Sequence, residues 1–551
     1  MLLHRILLYY NTIRYLKPVQ IYGRIFSALK KFIHFKLPDP PLNPEPLLKR
    51  KTDFIFHDPW NSYEDLRRNK FCFLNHSIDF GGKINWKPDN GLLWKFNLHY
   101  FNYLFLLSNE EQIKLCREWI KGNHIGEEPG WHPYPLSVRI TNWCKADLKD
   151  ELIYKSLYTQ TAFLFRNLEY YHPANHFLEN ARALIFSGLY FNDNGEANRW
   201  LEKGISIIRT ELPKQVFPDG GYFEKSIMYH SLILELVLDL LNILPETSGV
   251  YSLLLKSSEK MIEFLKDLTH PDGNISLFND SAEEIAPLTG QLGEYGERLG
   301  MKIKNSYNHA SLHSCIHAFT DSGFYIFKNN DIYLSIDGGS IGPDFIPAHA
   351  HADIFSYELS VKEKKFITDS GVYEYNPGEL RDYARSTKAH NTLTIDGKSQ
   401  AELWGSFRAA RRFPPEEIRF EEKNGGIIFT GRFTGYSNLI GDNLIHTRKI
   451  SYEPETAILS VEDLIQGKGR HLSESFIHLH PEVKIIESGT DLFLEKEEAK
   501  IKFTIKEAGF RIDDGVYFPQ FGKKIGNKVI VLFSERIPAA IKYSLQLIKK
   551  G

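Results

Sequence analysis

The sequence predicts two large domains, an array of helices followed by an antiparallel β-sandwich. The chain has 551 residues, several times the size of an ordinary single domain. Apolar residues recur at three- and four-residue spacing until about residue 299, and they alternate with a period of two after about residue 318. A long helical half followed by a long strand-rich half favours separate α and β domains over alternating βαβ units.

Residues 1–90 are predicted to form an N-terminal arm with helices. They include the segment LPDPPLNPEPLL, whose prolines remove backbone donors and prevent a regular helix. Polar residues interrupt the opening apolar runs before they reach the length of an export-signal core. We therefore expect a cytoplasmic location rather than a periplasmic one.

The helical domain is assigned to residues 91–315. Helical spacing of apolar residues occurs in LLWKFNLHYFNYLFLL, LYTQTAFLFRNLEYY, ARALIFSGLYF and SLILELVLDLLNIL. The last tract contains Glu235 and Asp239 and stops at Pro245. It therefore indicates a buried amphipathic helix, and we expect no transmembrane segment.

The β-sandwich is assigned to residues 316–551. In SGFYIFKNNDIYLSIDGG, aromatic and β-branched residues flank an Asn-Asn-Asp turn, which is typical of a β-hairpin. Similar strand patterns continue through FSYELSVKEKKFITD, NTLTIDG and KVIVLF.

The overall charge argues against a nucleic-acid partner. The 67 Lys and Arg residues nearly balance the 69 Asp and Glu residues, whereas nucleic-acid-binding chains usually have a basic excess. The spacing of the four cysteines fits neither a zinc ribbon nor a dense disulfide framework, so we expect isolated thiols. They are Cys72, Cys116, Cys144 and Cys315.

The segment ANHFLEN places polar side chains at the start of a helical run. His176 and Glu179 are three residues apart and would share one helix face beside Asn175. They can form one polar site. Alternatively, Asn175 caps the helix and His176 packs against a neighbour.

A second polar segment is FPDGGYFEKSIMYHSL, in which a Pro-Asp-Gly-Gly turn leads into a helix bearing Tyr229 and His230. The turn places the Tyr229 phenol near a loop, where it can exchange a proton if its pKa is lowered. The alternative is an ordinary packing residue with its hydroxyl satisfied at the edge of the core.

Histidines also stand at predicted strand ends. His349 and His351 are two apart in PAHAHADIFSYEL, and their imidazoles would share one face of an extended chain. FITDSG supplies Asp369, and YARSTKAHNTLTIDG sets His390 before another strand with Arg385 upstream. Two imidazoles and one carboxylate provide the ligands that tetrahedral zinc accepts.

Taken in order, these segments resemble the heparinase II/III-like polysaccharide lyases and the related oligoalginate lyases. The segments that carry the resemblance are ANHFLEN, DGGYFEKSIMYH, HAHADIFSYEL, FITDSG and RSTKAHNTL, within a span from about Trp94 to Asp396. The resemblance implies an incomplete (α/α) toroid followed by an antiparallel β-sandwich, with the active site in the cleft between them. It also implies cleavage of a uronic-acid-containing glycan by β-elimination.

The same resemblance implies roles for individual residues. Asn175 and His176 would bind and neutralise the uronate carboxylate. Tyr229 would be the catalytic acid and base, with His349 as its partner. Glu179 falls at the position of a supporting acid that contributes to substrate binding.

The resemblance further implies a structural zinc ion held by His351, Asp369 and His390. From the residues alone, the segment GWHPYPLSVRITNW offers Trp131 and Arg139 for a sugar- and carboxylate-binding wall. Core packing explains the tryptophan equally well. Arg385, upstream of His390, is a further predicted substrate-binding residue.

The expected partner is an acidic polysaccharide or oligosaccharide, and a homodimer is left open. No dense Arg/Lys cluster occurs in these segments, so a non-sulfated uronate polymer of a capsule or exopolysaccharide fits no worse than heparin. One rival is a glycan-binding or assembly protein without turnover. Another is a glycoside hydrolase that uses two carboxylates, with Asp219, Glu224 and Glu179 as candidates.

Overall fold

Helices dominate the N-terminal half of the chain, and antiparallel strands dominate the C-terminal half. The computed structural model describes residues 2–30, 37–40, 48–192, 195–303, 315–488 and 491–548. The predicted order of a helical part and an antiparallel β-part is confirmed. Part of the Pro-rich segment, residues 41–47, lies outside the described residues.

The α-helices are numbered in chain order within those ranges. They are α1 (Leu2–Ile13), α2 (Pro18–Lys30), α3 (Tyr63–Arg67), α4 (Leu92–Tyr100), α5 (Asn109–Gly122), α6 (Pro133–Ala146), α7 (Glu151–Arg166), α8 (Asn175–Phe191), α9 (Glu196–Gln215), α10 (Ile227–Ile243), α11 (Tyr251–Asp267), α12 (Thr289–Arg298), α13 (Glu379–Arg385) and α14 (Gly435–Leu439). In the described part of the chain, no helix is long and apolar enough to cross a membrane.

The strands are numbered in the same way. They are β1 (Lys70–Phe73), β2 (His76–Asp79), β3 (Cys315–Phe319), β4 (Phe324–Lys328), β5 (Ile332–Asp337), β6 (Tyr357–Val361), β7 (Lys364–Ile367), β8 (Leu393–Ile395), β9 (Leu403–Trp404), β10 (Arg408–Ala409), β11 (Glu416–Lys423), β12 (Gly426–Phe433), β13 (Ile445–Glu453), β14 (Ile458–Gln466), β15 (Ser473–His478), β16 (Lys484–Ser488), β17 (Asp491–Lys496), β18 (Ala499–Glu507), β19 (Gly509–Tyr517), β20 (Ile525–Ser534) and β21 (Ala539–Leu547). The predicted hairpin is β4–β5, with the Asn-Asn-Asp turn between its strands.

The helical core is built around α8 and α10, which are buried along most of their lengths. Helices α8 and α9 approach closely because each contributes a glycine to the contact. A Cβ added to Gly188 would lie 2.7 Å from Cβ of Leu201, and one added to Gly204 would lie 2.6 Å from Cγ1 of Ile185. Any larger residue at either glycine would push the two helices apart.

Most of the β-part is organised in three antiparallel sheets. An eight-stranded sheet has the order β11-β12-β13-β14-β21-β18-β17-β16, a four-stranded sheet has the order β19-β20-β15-β8, and a five-stranded sheet runs β3-β4-β5-β6-β7. Burial alternates along β13 and β14, so one face of the eight-stranded sheet packs on the core.

The five-stranded sheet joins the two halves of the molecule. Along β4, Phe324 and Ile326 belong to the helical core, whereas Tyr325 and Phe327 belong to the core of the β-part. This is the two-residue alternation of a strand with both faces covered. The sheet therefore lies between the helices and the eight-stranded sheet.

A buried ion pair spans β13 and β14. Arg448 and Asp463 face each other in register, and the guanidinium Nε and Nη2 each lie 2.7 Å from an Asp463 oxygen. Arg448 Nη1 also donates to the backbone carbonyls of Phe355 (2.9 Å) and Asn391 (2.5 Å). The pair thus fixes the two loops that precede β6 and β8 to the eight-stranded sheet.

Candidate functional site

A cleft of about 1270 Å³ lies between the helical part and the β-part. Its walls come from α1, α2, α4, α6, α8 and α10, from the loop between β5 and β6, and from the loops on either side of α13. Aromatic and amide side chains are frequent in the lining. Asn175, His176, Glu179, Tyr229 and His349 all contribute to it.

The N-terminus of α8 brings Asn175 and His176 to the cleft. Asn175 is the first residue of the helix, and its side-chain oxygen accepts the backbone N–H of His176 at 2.9 Å. His176 stacks on Tyr134 and on His172, with ring centroids 4.1 and 4.2 Å away. His176 Nδ1 lies 3.0 Å from the buried carboxylate of Glu169. The imidazole is therefore held in one orientation from three sides.

Glu169 can orient His176 because it stays ionised. Burial alone would raise the pKa of the carboxyl group, but the adjacent His176 and its hydrogen bond outweigh burial and lower that pKa to about 2. An ionised carboxylate accepts a hydrogen bond from Nδ1.

Glu179 belongs to a buried charge network instead of standing free in the cleft. Its carboxylate accepts Arg182 Nε at 2.9 Å, and Arg182 also contacts Asp239 at 3.1 Å. Lys145 reaches the same aspartate at 2.6 Å. Burial raises the pKa of the Glu179 carboxyl group, and the cationic Arg182 opposes that rise. The network supports the wall beside His176.

Tyr229 lies against His349, with ring centroids 3.9 Å apart. Its backbone N–H is capped by Ser226 Oγ at 3.2 Å, just after the predicted Pro-Asp-Gly-Gly turn, and its hydroxyl lies 3.2 Å from the Tyr375 hydroxyl. Burial raises the pKa of the Tyr229 phenol well above its ordinary value. Burial therefore keeps Tyr229 in its neutral, proton-donating form in the free protein.

Asp280, in the loop between α11 and α12, connects the predicted residues of the site. Its Oδ2 lies 2.9 Å from His349 Nδ1, and its Oδ1 lies 2.8 Å from His351 Nε2. Both of its oxygens also accept the guanidinium of Arg381. Burial opposes ionisation, but Arg381 and the histidine hydrogen bonds hold the pKa of this carboxyl well below its ordinary value. A carboxylate accepts from Nδ1, so His349 keeps a basic Nε2.

Sequence reasoning missed four members of this site, namely Glu169, Asp280, Tyr375 and Arg381. Three of them act through partners far away in the chain, such as Asp280 with His349, which is 69 residues away, whereas Glu169 contacts His176 seven residues later. Asp280 stands in LFNDSAEE, which matches no local catalytic pattern. The clearest available signal was the pair Asn279–Asp280 directly after the apolar residues Leu277 and Phe278.

The predicted zinc ligands are close together and fully buried. His390 Nδ1 lies 2.7 Å from Asp369 Oδ2, and the rings of His390 and His351 are 5.3 Å apart. His351 Nδ1, His390 Nε2 and Asp353 Oδ1 are buried without a hydrogen-bond partner. Nitrogen and carboxylate donors left unpaired in this way fit a bound cation.

Another group of side chains forms a tighter candidate metal-binding triad. One donor atom each from Asp267, Cys315 and His317 lies within 4.8 Å of the others, at the end of α11 and along β3. In the described ranges this is the one set of three or more such side chains that meets this distance. Lys328 also contacts Asp267, so part of the carboxylate charge is already balanced.

Three predicted substrate-binding residues lie away from the cleft. Trp131 is buried against Trp119 and Phe163. Arg139 is buried, donates to Gln160, and covers the Trp119 ring.

Arg385 is likewise buried, and it donates to the backbone carbonyls of Ala350 and Gly405. None of the three is among the described residues that line the cleft. In this structure the three side chains lie in the protein interior instead of the cleft in which glycan contacts were expected.

Comparison with known proteins identifies the family. Residues 134–295 match the family model "Heparinase II/III N-terminus", and residues 312–544 match "Heparinase II/III-like, C-terminal". A heparin-sulfate lyase of Pedobacter heparinus is 26% identical over 439 residues, and one of Bacteroides stercoris is 26% identical over 392 residues. These alignments cover 70% and 59% of this chain, and only 63% and 57% of the two relatives.

Solved structures share the fold at low sequence identity. A heparinase III structure superposes with a TM-score of 0.68 at 17% identity, covering 94% of this chain and 88% of that one. A heparan sulfate lyase mutant from Pedobacter heparinus gives 0.62 at 18% identity, covering 97% and 88%. The predicted toroid followed by a β-sandwich agrees with these neighbours. The two family models together match more than half of the sequence, and the chain therefore belongs to the heparinase II/III-like family.

Proposed function

We propose that this chain is a polysaccharide lyase that cleaves a uronic-acid-containing glycan by β-elimination. The observation that carries the proposal is the close ring contact of Tyr229 with His349, in one cleft with Asn175 and His176. This set contains a neutral proton donor, an imidazole oriented by a carboxylate, and two groups suited to a uronate. The relatives named heparin-sulfate lyases support the same reaction class.

The first requirement of the reaction is to neutralise the uronate carboxylate. The hydrogen at C5 is weakly acidic, and its removal becomes feasible only when the adjacent negative charge is stabilised. Asn175 and His176 stand together at the N-terminus of α8, where the helix dipole also favours an anion. They supply hydrogen bonds to the carboxylate as charge develops on it.

The proton transfers are assigned to His349 and Tyr229. His349 donates Nδ1–H to Asp280 and takes the C5 proton on Nε2. Tyr229 donates its phenolic proton to O4 while the C4–O4 bond breaks and the C4–C5 double bond forms. His349 then returns its proton to the adjacent phenolate, and the site is restored.

The charge of the cleft favours a lightly sulfated or non-sulfated substrate. Five Lys or Arg residues and four Asp or Glu residues line it. Lys145, Arg182 and Arg412 already pair with carboxylates. Heavily sulfated chains need a surplus of free cations, and the aromatic and amide lining suits an ordinary uronan better.

We also propose that His351, Asp369 and His390 hold a structural zinc ion. The unpaired ring nitrogens of the two histidines support this assignment. A bound ion would fix the loops that carry these residues next to Asp280, and all of the proton transfers remain with Tyr229 and His349. The proposed domains are an arm over residues 1–90, a helical domain over 91–315 and a β-sandwich over 316–551.

The test is ultraviolet absorbance during incubation with alginate, heparan sulfate, hyaluronan and bacterial exopolysaccharides. Elimination creates an unsaturated uronate that absorbs in the near ultraviolet. We expect a rise with at least one uronan, and Tyr229→Phe should reduce its rate by about 10²–10⁴-fold. The matched control is Tyr325→Phe, a buried tyrosine in β4 outside the cleft lining, which should retain the wild-type rate.

The two rival functions give different results in the same experiment. A glycoside hydrolase would release reducing ends without any rise in absorbance. A binding or assembly protein would give neither signal. Either result, or a wild-type rate in Tyr229→Phe, would contradict the proposed mechanism.

A further inference from the structure

Helices α1 and α2 face the rest of the protein with polar groups and present apolar side chains to solvent. Of the 24 exposed large apolar side chains in the described ranges, ten lie between residues 6 and 29, and two of these, Tyr9 and Ile13, line the cleft. The other eight are Ile6, Leu7, Tyr10, Ile21, Tyr22, Ile25, Phe26 and Leu29. We call these eight the apolar outer face. Such a concentration is unusual, because apolar side chains exposed on a monomer are normally scattered.

We call α1, α2 and the turn between them the hairpin. Its side that faces the β-part makes specific polar contacts. Thr12 accepts the indole N–H of Trp404 at 3.1 Å and contacts the Ala409 carbonyl at 3.3 Å. Gln20 is buried and donates to the Phe345 carbonyl at 3.0 Å. The hairpin is thus attached to the β-part by specific polar contacts, and its outward orientation is set by them.

The charged side chains of the hairpin are all basic. The first 38 residues of the sequence contain seven Lys or Arg residues and no Asp or Glu. Among them, Arg5, Arg14 and Lys17 are exposed on α1 and in the turn after it, and none of the three lines the cleft. The hairpin therefore offers both apolar area and positive charge to whatever it contacts.

We propose that the α1–α2 hairpin binds the surface of an anionic lipid membrane. Helices of 12 and 13 residues are too short to span a bilayer, but they can lie in its interface with apolar side chains inserted and cations near the headgroups. Tyr10 and Tyr22 are exposed amphipathic aromatic residues of the kind that favour this depth. Basic residues beside the inserted face add attraction to anionic lipids.

A second copy of the chain fits the same face less well. A two-fold contact between hairpins would bring each cationic surface against its own copy. The hairpin has no carboxylate to relieve that repulsion. A membrane with anionic headgroups can bury the apolar outer face and attract the cations at the same time.

The experiment is co-sedimentation of the full chain with two kinds of vesicles, phosphatidylcholine alone and phosphatidylcholine mixed with phosphatidylglycerol. We expect binding to the mixed vesicles to be at least about tenfold tighter, and to weaken as salt is raised. The variant Ile21→Glu/Ile25→Glu should lose at least about tenfold of that binding. Phe510→Glu, at an exposed apolar residue of β19, is the matched control and should bind like wild type.

Circular dichroism and thermal unfolding check that each variant is folded, and neither altered isoleucine lines the cleft. Equal sedimentation of the double variant and wild type would overturn the proposal, as would equal binding to both kinds of vesicles or to neither. A concentration-dependent dimer that the double variant abolishes, without any vesicle binding, would assign the face to a second copy. These readouts are independent of turnover, so they are separate from the test of lyase activity.

Discussion

Replacing Asp280 by asparagine removes the central charge of the site while keeping the size of the side chain. In the wild type, His349, His351 and Arg381 direct four N–H groups at the two carboxylate oxygens. An amide retains one acceptor oxygen, and its NH₂ group would face two of these donors. Arg381, which is fully buried, would keep the Ser406 carbonyl but lose its anionic partner.

The expected cost follows from that geometry. Removing one member of a buried, hydrogen-bonded ion pair typically lowers the free energy of unfolding by about 3–5 kcal/mol. Unfolding entropy is about 2.1 cal/mol/K per residue, so in a cooperative unit of 551 residues each kcal/mol corresponds to roughly 0.9 °C in Tm, and Asp280→Asn should melt about 3–4 °C below wild type. The matched control is Asp513→Asn, because the exposed Asp513–Arg511 pair should contribute less than about 1 kcal/mol.

The same substitution should reduce any elimination rate by more than the loss of folded protein explains. Asparagine cannot hold the imidazolium that forms at His349, and the equivalent change in catalytic triads costs about 10⁴-fold. The assays are differential scanning calorimetry and single-substrate kinetics at a temperature where both proteins are folded. A free energy of unfolding within about 1 kcal/mol of wild type would refute the structural role. A stable variant with wild-type kcat would refute the catalytic one.

The Asp280 carboxylate should stabilise the folded protein less as the pH falls into the acid range. Its pKa in the folded protein lies below the ordinary value of 3.8. The contribution of the Asp280 carboxylate to the free energy of unfolding is therefore complete above about pH 4. It is lost as the pH falls through the lower pKa of the folded protein. The difference in the free energy of unfolding between wild type and Asp280→Asn should be constant near neutral pH and should shrink only in strong acid.

Two further predictions concern other buried histidines. Burial, followed by the nearby cationic Arg139, lowers the pKa of His99 to about 3. The imidazole donates one ring N–H to the Trp86 carbonyl, and its other ring nitrogen accepts the Trp119 indole N–H. The unfolded chain takes up a proton near pH 6.5, so stability should fall by on the order of 4 kcal/mol between pH 6.5 and 3, and His99→Gln should flatten that slope in urea titrations. Metal analysis of the purified protein should show zinc that is lost in His351→Ala and kept in His480→Ala. Loss in His317→Ala instead would move the metal to the triad at the end of α11.

The sequence could predict the order of domains and the residues that carry chemistry in recognisable segments. Helical and strand periodicities are local properties, and Tyr229 and His349 stand in distinctive motifs. The groups that orient them could not be predicted. Asp280 acts through hydrogen bonds to residues that the fold brings together, such as His349 and Arg381, and no spacing along the chain encodes those contacts.

The environment of a side chain could not be predicted where one pattern suits both a cleft and the interior. Trp131 and Arg139 follow helical spacing in either case, and in the structure Arg139 is buried, donates to Gln160 and covers the Trp119 ring. The surroundings of Tyr229 could not be predicted for a related reason. A loop position suggests solvent, but Tyr375 and His349 cover the phenol.

The sheet between the two halves has a consequence for how the molecule unfolds. Alternate side chains of β4 complete the helical core and the β core, so neither core is closed without the same strand. Cutting the chain at the change from helices to strands would leave the helices with an open apolar wall. The two halves should therefore melt in a single cooperative transition, and neither should be recoverable as a folded fragment.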